Sequence, residues 1–177
     1  MEFDIGRIPN YGFNFDISAN ADLFKISKDD CVLEEAVSVK GELKLLKKEV
    51  YFKGKTKSEL RLACSRCLIS FQFPVETEVF ARYIPKPSAN EFEIERQVLE
   101  KDINTEYYSN SKINLTESVR DAILLAVPMN QLCIKGCRGL CSQCGLNLNE
   151  SECKCGDDAD IDPRFEKLKQ LRDKLQE

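Results

Sequence analysis

The chain has no histidine among its 177 residues. That absence removes the commonest general base, the Ser-His and Cys-His nucleophile pairs and every histidine metal ligand. Long apolar runs are also missing: nothing approaches the roughly 20 residues needed to cross a bilayer. The N-terminus, with Glu2 and Asp4, lacks the basic start of a secretory signal. Together these absences lead to the expectation of a cytoplasmic protein without a membrane span. In a reducing compartment clustered cysteines bind metal more often than they pair as disulfides. The odd count of nine cysteines cannot form a full disulfide framework either. Acidic residues such as Glu91, Glu93 and Glu95 sit in a polar stretch that reads as a solvated edge. No catalytic constellation is visible, so neither an enzymatic activity nor a small-molecule substrate is expected.

Six of the nine cysteines fall between Cys133 and Cys155. Cys141 and Cys144 are two residues apart and followed by Gly145, so a tight turn can aim both thiolates at one ion while the glycine takes a positive φ. Cys153 and Cys155 supply a second pair, since alternate residues of an extended segment point the same way. The spacing predicts a zinc ion held by Cys141, Cys144, Cys153 and Cys155. A second choice draws the ligands from Cys133, Cys137, Cys141 and Cys144, and the more compact loop closed by the first set favours that set. With thiolate ligands alone such a site is closed, hence structural rather than catalytic.

Cys64-Ser65-Arg66-Cys67 falls where one strand pattern ends and the next begins, flanking a hairpin turn. A thioredoxin-like redox pair needs a helix after its first cysteine, and a strand follows here, which disfavours redox catalysis. Two readings stay open. The thiols are half-buried small hydrophobes, the slightly preferred reading, or the pair completes a metal site with two surplus cysteines of the later cluster. Lone Cys31 reads as buried in a strand.

The expected fold class is α+β: an antiparallel β-meander or partly closed sheet with one packed helix, a cysteine-rich zinc-binding module and a C-terminal helix. Short alternating signals at Phe3 and Ile5, and at Phe13, Phe15 and Ile17, read as edge strands. Period-two alternation continues through Val37, Val39, Leu43 and Leu45, then Tyr51 to Lys53, and Leu60, Leu62 and Cys64. After Cys67 it runs from Ile69 to Ala81, with Pro74 as the point of a kink. Pro85 and Pro87 introduce a polar, acidic stretch through Ser111 that reads as a mobile loop or linker. Asn114 then starts a helix in a capping-box arrangement with Glu117, its stripe being Leu115, Val119, Ala122, Ile123 and Ala126, and Pro128 stops it. Asp162 and Pro163 open a last helix carrying Phe165, Leu168, Leu171 and Leu175. The domain reading is a β-rich core over 1–130 with its helix near 115–127, a cysteine-rich module over 131–157 and a helical tail over 158–177.

Charge is uneven. From Lys40 to Arg66, nine basic residues meet three acidic ones, an excess of six positive charges in a chain of net charge −4. A hairpin carrying Lys44, Lys47, Lys48, Lys53, Lys55, Lys57, Arg61 and Arg66 beside Tyr51 and Phe52 suits a phosphate backbone, and these are the candidate RNA contacts. A lysine edge that blunts strand aggregation accounts for the same residues equally well.

Several stretches combine: Cys64-Ser65-Arg66-Cys67-Leu68 at a hairpin end, the Leu115 to Pro128 helix leading into Cys133, the run from Cys137 to Gly145 with Asn147-Leu148-Asn149, Cys153-Lys154-Cys155 and Asp162-Pro163-Arg164. Together they resemble the bacterial YceD family, the large ribosomal RNA subunit accumulation proteins, and the resemblance covers most of the chain. Ser142 departs from it, standing where the family usually has proline. The resemblance implies a cytoplasmic, non-enzymatic role in the synthesis, processing or stability of large-subunit (23S) ribosomal RNA, with zinc as an accessory to the fold. The implied partners are ribosomal RNA precursor or pre-ribosomal proteins. The alternative is a zinc-containing adaptor that grips RNA polymerase or an RNA-processing enzyme. A thiol oxidoreductase using Cys64 and Cys67 is the weakest reading.

Overall fold

A computed structural model describes residues 1–26, 31–87 and 103–155. Alternation of apolar and polar residues builds one dominant sheet from β2 (Phe13–Ala19), β3 (Cys31–Leu33), β4 (Val37–Leu46), β5 (Glu49–Ala63), β6 (Ser70–Pro85) and β7 (Thr105–Tyr108). Its order is β2-β4-β5-β6-β7, with β3 also pairing to β5, so the end strands do not meet and no barrel closes. A small second sheet pairs β1 (Glu2–Asp4) with β8 (Lys112–Asn114), and the single α-helix among the described residues, α1, runs from Thr116 to Ala126. The α+β expectation is met in this coarse form, mostly sheet with one helix. The expected C-terminal helix from Asp162 lies outside the described residues, as does the acidic stretch around Glu91.

β5 and β6 are the spine. They pair antiparallel without interruption from Val50↔Tyr83 to Ala63↔Ser70. On its other side β5 pairs with β4 and then with β3, which lie end to end, and Glu34 in the join forms an ion pair with Arg61. The two separate signals at Tyr51 and Leu60 thus belong to one strand. Pro74 sits opposite Glu59 in unbroken register. It is tolerated because β7 covers only Arg82 to Pro85, leaving that half of β6 as an edge where a missing N–H costs little.

Two expectations are corrected. Thr105 to Tyr108, assigned to a linker, forms a strand parallel to β6. Four residues are too few for alternation to register, and a parallel partner across an intervening stretch leaves no local turn signal. Helix α1 begins at Thr116 rather than at Asn114. Asn114 nevertheless takes a related role, its Oδ1 accepting from the Thr116 N–H at 3.0 Å, an Asx-type bond just ahead of the helix.

The inner sheet face is apolar: Val37, Val39 and Leu43 from β4, Val50, Phe52, Leu60 and Leu62 from β5, and Val75, Val79, Ala81 and Tyr83 from β6 are all buried. Helix α1 lies against β6 with Val119 and Ile123 in that core, and Ala122 and Ala126 pack at its margin. At the sheet centre Gly41 and Gly54 are opposite partners. The Phe52 ring covers both, and Phe15 stacks on it at 5.7 Å between centroids.

Candidate metal centres

The connection between the two longest strands is itself a cysteine knuckle. Cys64 N–H donates to the Ile69 carbonyl (2.9 Å) and Leu68 N–H to the Cys64 carbonyl (2.9 Å), with Leu68 at φ +60°. The chain leaving α1 returns to this turn. Ser65 donates from its N–H and its Oγ to the Gln131 carbonyl (2.8 and 2.9 Å), and Arg66 Nη1 donates to the Cys137 carbonyl (2.8 Å). Cys133 and Cys137 thereby arrive beside Cys64 and Cys67, with Sγ separations of 3.7 Å for Cys64–Cys137 and 3.5 Å for Cys67–Cys133. All four sulfurs lie within 4.8 Å of one another, and Cys64, Cys67 and Cys137 are buried.

The second centre repeats the design. Gly145 N–H donates to the Cys141 carbonyl (3.0 Å) and Cys141 N–H to the Leu146 carbonyl (2.8 Å), with Gly145 at φ +72°. This is the bonding pattern of Cys64 to Ile69 transposed, with glycine where the first knuckle has Leu68. Cys153 Sγ lies 3.4 Å from both Cys141 and Cys144, Cys155 N–H donates to it (3.2 Å), and these four sulfurs are again mutually within 4.8 Å. Here Cys144 and Cys155 are exposed.

A short bridge joins the two. Leu140 N–H donates to the Arg66 carbonyl (3.3 Å) and Leu148 N–H to the Gly139 carbonyl (2.9 Å). Asn149 accepts from the Arg138 N–H (2.8 Å) and donates Nδ2–H to Cys137 Sγ (3.2 Å). Gly139 takes φ +78°, which a side chain resists, and a Cβ there would sit 3.1 Å from the Arg66 carbonyl oxygen, close enough to require a small shift of the bridge against the first knuckle.

Both sets have the donor chemistry and spacing for a divalent metal ion. Sulfurs at 3.4–3.7 Å are far longer than a disulfide's roughly 2.05 Å. They approach the edge of about 3.8 Å expected for a tetrahedron with metal–sulfur bonds of about 2.3 Å. The electrostatics agree. Burial pushes the Cys64 thiol up, but N–H groups of Cys67, Cys133 and Arg66 aimed at the sulfur outweigh it and bring the pKa down to about 6. Cys141 is likewise lowered to about 6, chiefly by the N–H groups of Cys144 and Gln143. Cys133 is pushed up to about 12 by burial and then by the neighbouring Cys67, Cys64 and Cys137 sulfurs, and Cys155 to about 12 by Cys153 and Cys144. One thiolate per set is favoured and further ones repel; a central dication lets all four ionise.

The structure brings together the preferred four, Cys141, Cys144, Cys153 and Cys155. It does not assemble the second choice, because Cys133 and Cys137 belong with Cys64 and Cys67. The structure gives the other reading of Cys64 and Cys67 its geometry: both are buried, not half-buried, and stand in one four-cysteine set with Cys133 and Cys137. The halves are 66 positions apart, with β6, β7, β8 and α1 between them, so no local spacing pairs them. Asn149 belongs to the Asn147-Leu148-Asn149 run of the resemblance, but nothing in the sequence marks it as a bridging group beyond its place between two cysteine pairs. Lone Cys31 is buried in β3 as expected.

The basic face reads differently once folded. Lys44 pairs with Glu42, Lys55 with Glu78, Lys57 with Glu76 and Arg61 with Glu34, while Lys53 lies over the Phe80 ring at 5.4 Å. Most of the balancing carboxylates come from outside the Lys40–Arg66 window, on β6 and before β4. Lys47 and Lys48 form the β4–β5 turn, and Arg66 is engaged at the first knuckle.

Leu68 offers a clean test of the knuckle geometry. It holds a left-handed conformation with its side chain mostly exposed, at 68%. Leu68→Gly is expected to raise stability by up to about 1 kcal/mol, measured by denaturant unfolding, with Leu68→Ala close to the parent.

The family description for large ribosomal RNA subunit accumulation protein YceD matches residues 52–172. A 66-residue stretch is 32% identical to YCED homolog 1, chloroplastic, of Arabidopsis thaliana, covering 37% of this chain and 20% of that protein. The Zea mays homolog of the same name is 38% identical over 48 residues, 27% of this chain and 16% of its own length. These matches thus span about a fifth or less of either plant protein. The uncharacterized protein YlbN of Bacillus subtilis is 24% identical over 131 residues, 74% of this chain and 71% of that one. No solved structure matches. With the matched region running from β5 through α1 and both cysteine sets, well over half of its length, the chain belongs to the YceD family of large ribosomal RNA subunit accumulation proteins.

Proposed function

We propose that this protein is a non-enzymatic ribosome-biogenesis factor of the cytoplasm, supporting the synthesis, processing or stability of large-subunit ribosomal RNA by binding precursor RNA or a protein on it. The observation that carries this reading is where the family match lies. It opens inside β5 at Phe52 and takes in both cysteine sets, so the shared part is the hairpin spine with its thiolate-rich end. Zinc is the ion proposed for the Cys141, Cys144, Cys153 and Cys155 set, because an all-thiolate tetrahedron suits it and leaves no open position for chemistry. No helix among the described residues is long and apolar enough to cross a membrane.

Depleting the protein from its own cells is expected to lower large-subunit relative to small-subunit ribosomal RNA; an unchanged ratio would remove the reading. Ultraviolet crosslinking then identifies the contact. Crosslinks to precursor large-subunit RNA that disappear when Lys44, Lys47, Lys48, Lys53, Lys55 and Lys57 are changed to glutamine place RNA on the basic hairpin. The second reading, an adaptor for RNA polymerase or an RNA-processing enzyme, is favoured by the carboxylates that already pair Lys44, Lys55 and Lys57. A partner that co-purifies after nuclease treatment, with no RNA crosslink, supports it.

A further inference from the structure

We propose that the chain carries two structural zinc ions in unequal sites. An inner ion on Cys64, Cys67, Cys133 and Cys137 fastens the cysteine-rich segment to the β5–β6 hairpin. An outer ion on Cys141, Cys144, Cys153 and Cys155 depends on the inner one for its placement and exchanges first. The inference extends the zinc reading above to a second set of ligands and gives the two sets different roles.

Three observations carry it. The inner ligands are drawn from both ends of the fold: Cys64 and Cys67 are held by the longest strand pair, and Cys133 and Cys137 by the segment after α1. Closing that site is what brings the later chain onto the sheet. Next, hydrogen bonds that tie the outer segment toward the hairpin run through the inner site. Leu140 bonds the Arg66 carbonyl inside the first knuckle, and Asn149 spans Arg138 N–H and Cys137 Sγ. By contrast, the bonds at the outer cysteines are local, Cys141 to Leu146, Gly145 to Cys141 and Cys155 to Cys153. The outer segment is thus anchored to the hairpin through the inner site, and losing that site removes its anchor. Finally, access differs. Three of the four inner cysteines, Cys64, Cys67 and Cys137, are buried with Phe71, Leu132 and Leu140 packed on them and Cys133 is half-buried, whereas outer Cys144 and Cys155 face solvent, so a chelator or an alkylating reagent reaches the outer set more readily.

The test uses the intact, zinc-loaded chain. Elemental analysis is expected to give two zinc ions per chain. On competition with a chromogenic chelator, zinc should leave in two steps, the second slower by at least about ten-fold because it needs opening of the core. N-ethylmaleimide is added after the first step and the adducts are located by peptide mass spectrometry. Cys141, Cys144, Cys153 and Cys155 should be modified, with Cys64, Cys67, Cys133 and Cys137 protected until the second step. Cys155→Ser should retain one zinc with the inner four protected, while Cys133→Ser should lose both ions. One zinc per chain, all eight thiols modified together, or the inner four modified first would each overturn the proposal. None of these results would alter the ribosomal RNA ratio on depletion, so failure here and failure of the proposed function stay separate.

Discussion

Replacing Cys137 with serine is expected to produce the largest loss in the molecule: a fall in Tm of more than about 10 °C, reproduced in the parent chain by exhaustive chelation. Cys137 has no exposed surface, its Sγ accepts from Asn149, and its carbonyl accepts from Arg66. The substitution thus removes one candidate metal ligand from a buried site, together with the sulfur that Asn149 donates to, beside the carbonyl that takes the Arg66 guanidinium. Ser151→Ala, on the exposed loop between the two outer cysteine pairs, serves as control and should melt with the parent. Scanning calorimetry of the two variants with and without chelator is the measurement. If Cys137→Ser melts within a few degrees of the parent, and chelator leaves the parent's transition in place, the buried set is no metal centre and the four sulfurs are simply close-packed thiols.

Gly41→Ala and Gly54→Ala form the second large expectation, each destabilising by about 3 kcal/mol in denaturant unfolding. A Cβ on Gly41 would lie 2.7 Å from the Lys53 carbonyl oxygen and 2.7 Å from Phe52 Cε2; one on Gly54 would lie 2.7 Å from the Lys40 carbonyl oxygen and 2.8 Å from the same ring carbon. The ring can yield only by leaving a fully buried place in the core, and the carbonyls belong to the β4–β5 ladder. Aromatic cover over paired glycines is a recognised way to let a sheet curve without exposing backbone. Combining Gly54→Ala with Phe52→Leu should recover part of the loss and not all of it, since the carbonyl clash survives removal of the ring. Either single variant within about 0.5 kcal/mol of the parent would show that the sheet absorbs the methyl by a small shift.

Legibility followed the range of the interactions. Alternation from Phe71 to Ala81 marked β6 correctly, and the Leu115 to Ala126 stripe marked α1, because both signals are written in neighbouring residues. Cys141, Cys144, Cys153 and Cys155 could be grouped from spacing for the same reason. The inner set could not, because its halves are separated by 66 residues between Cys67 and Cys133, and nothing in a period or a turn says which distant pairs meet. Likewise the six-charge excess was real along the chain and misleading across it. Glu76 and Glu78 stand beside Lys57 and Lys55 only after β6 folds against β5, and exposed pairs of this kind carry little energy while still cancelling the local field. Strand β7 is too short for alternation to register, and its parallel pairing leaves no local turn signal.

The placement of the first knuckle at the β5–β6 turn also sets an order of events during synthesis. Cys64 and Cys67 emerge early and lie three positions apart in their hairpin loop, so their half of the site forms with the turn itself. The other half must wait for 66 further residues, and closing so long a loop carries an entropic cost that only a preformed hairpin and a docked α1 can offset. A nascent chain stalled before Cys133 therefore displays half of a four-cysteine set at the tip of its longest strands, and completion of that set is timed to the arrival of the segment after α1.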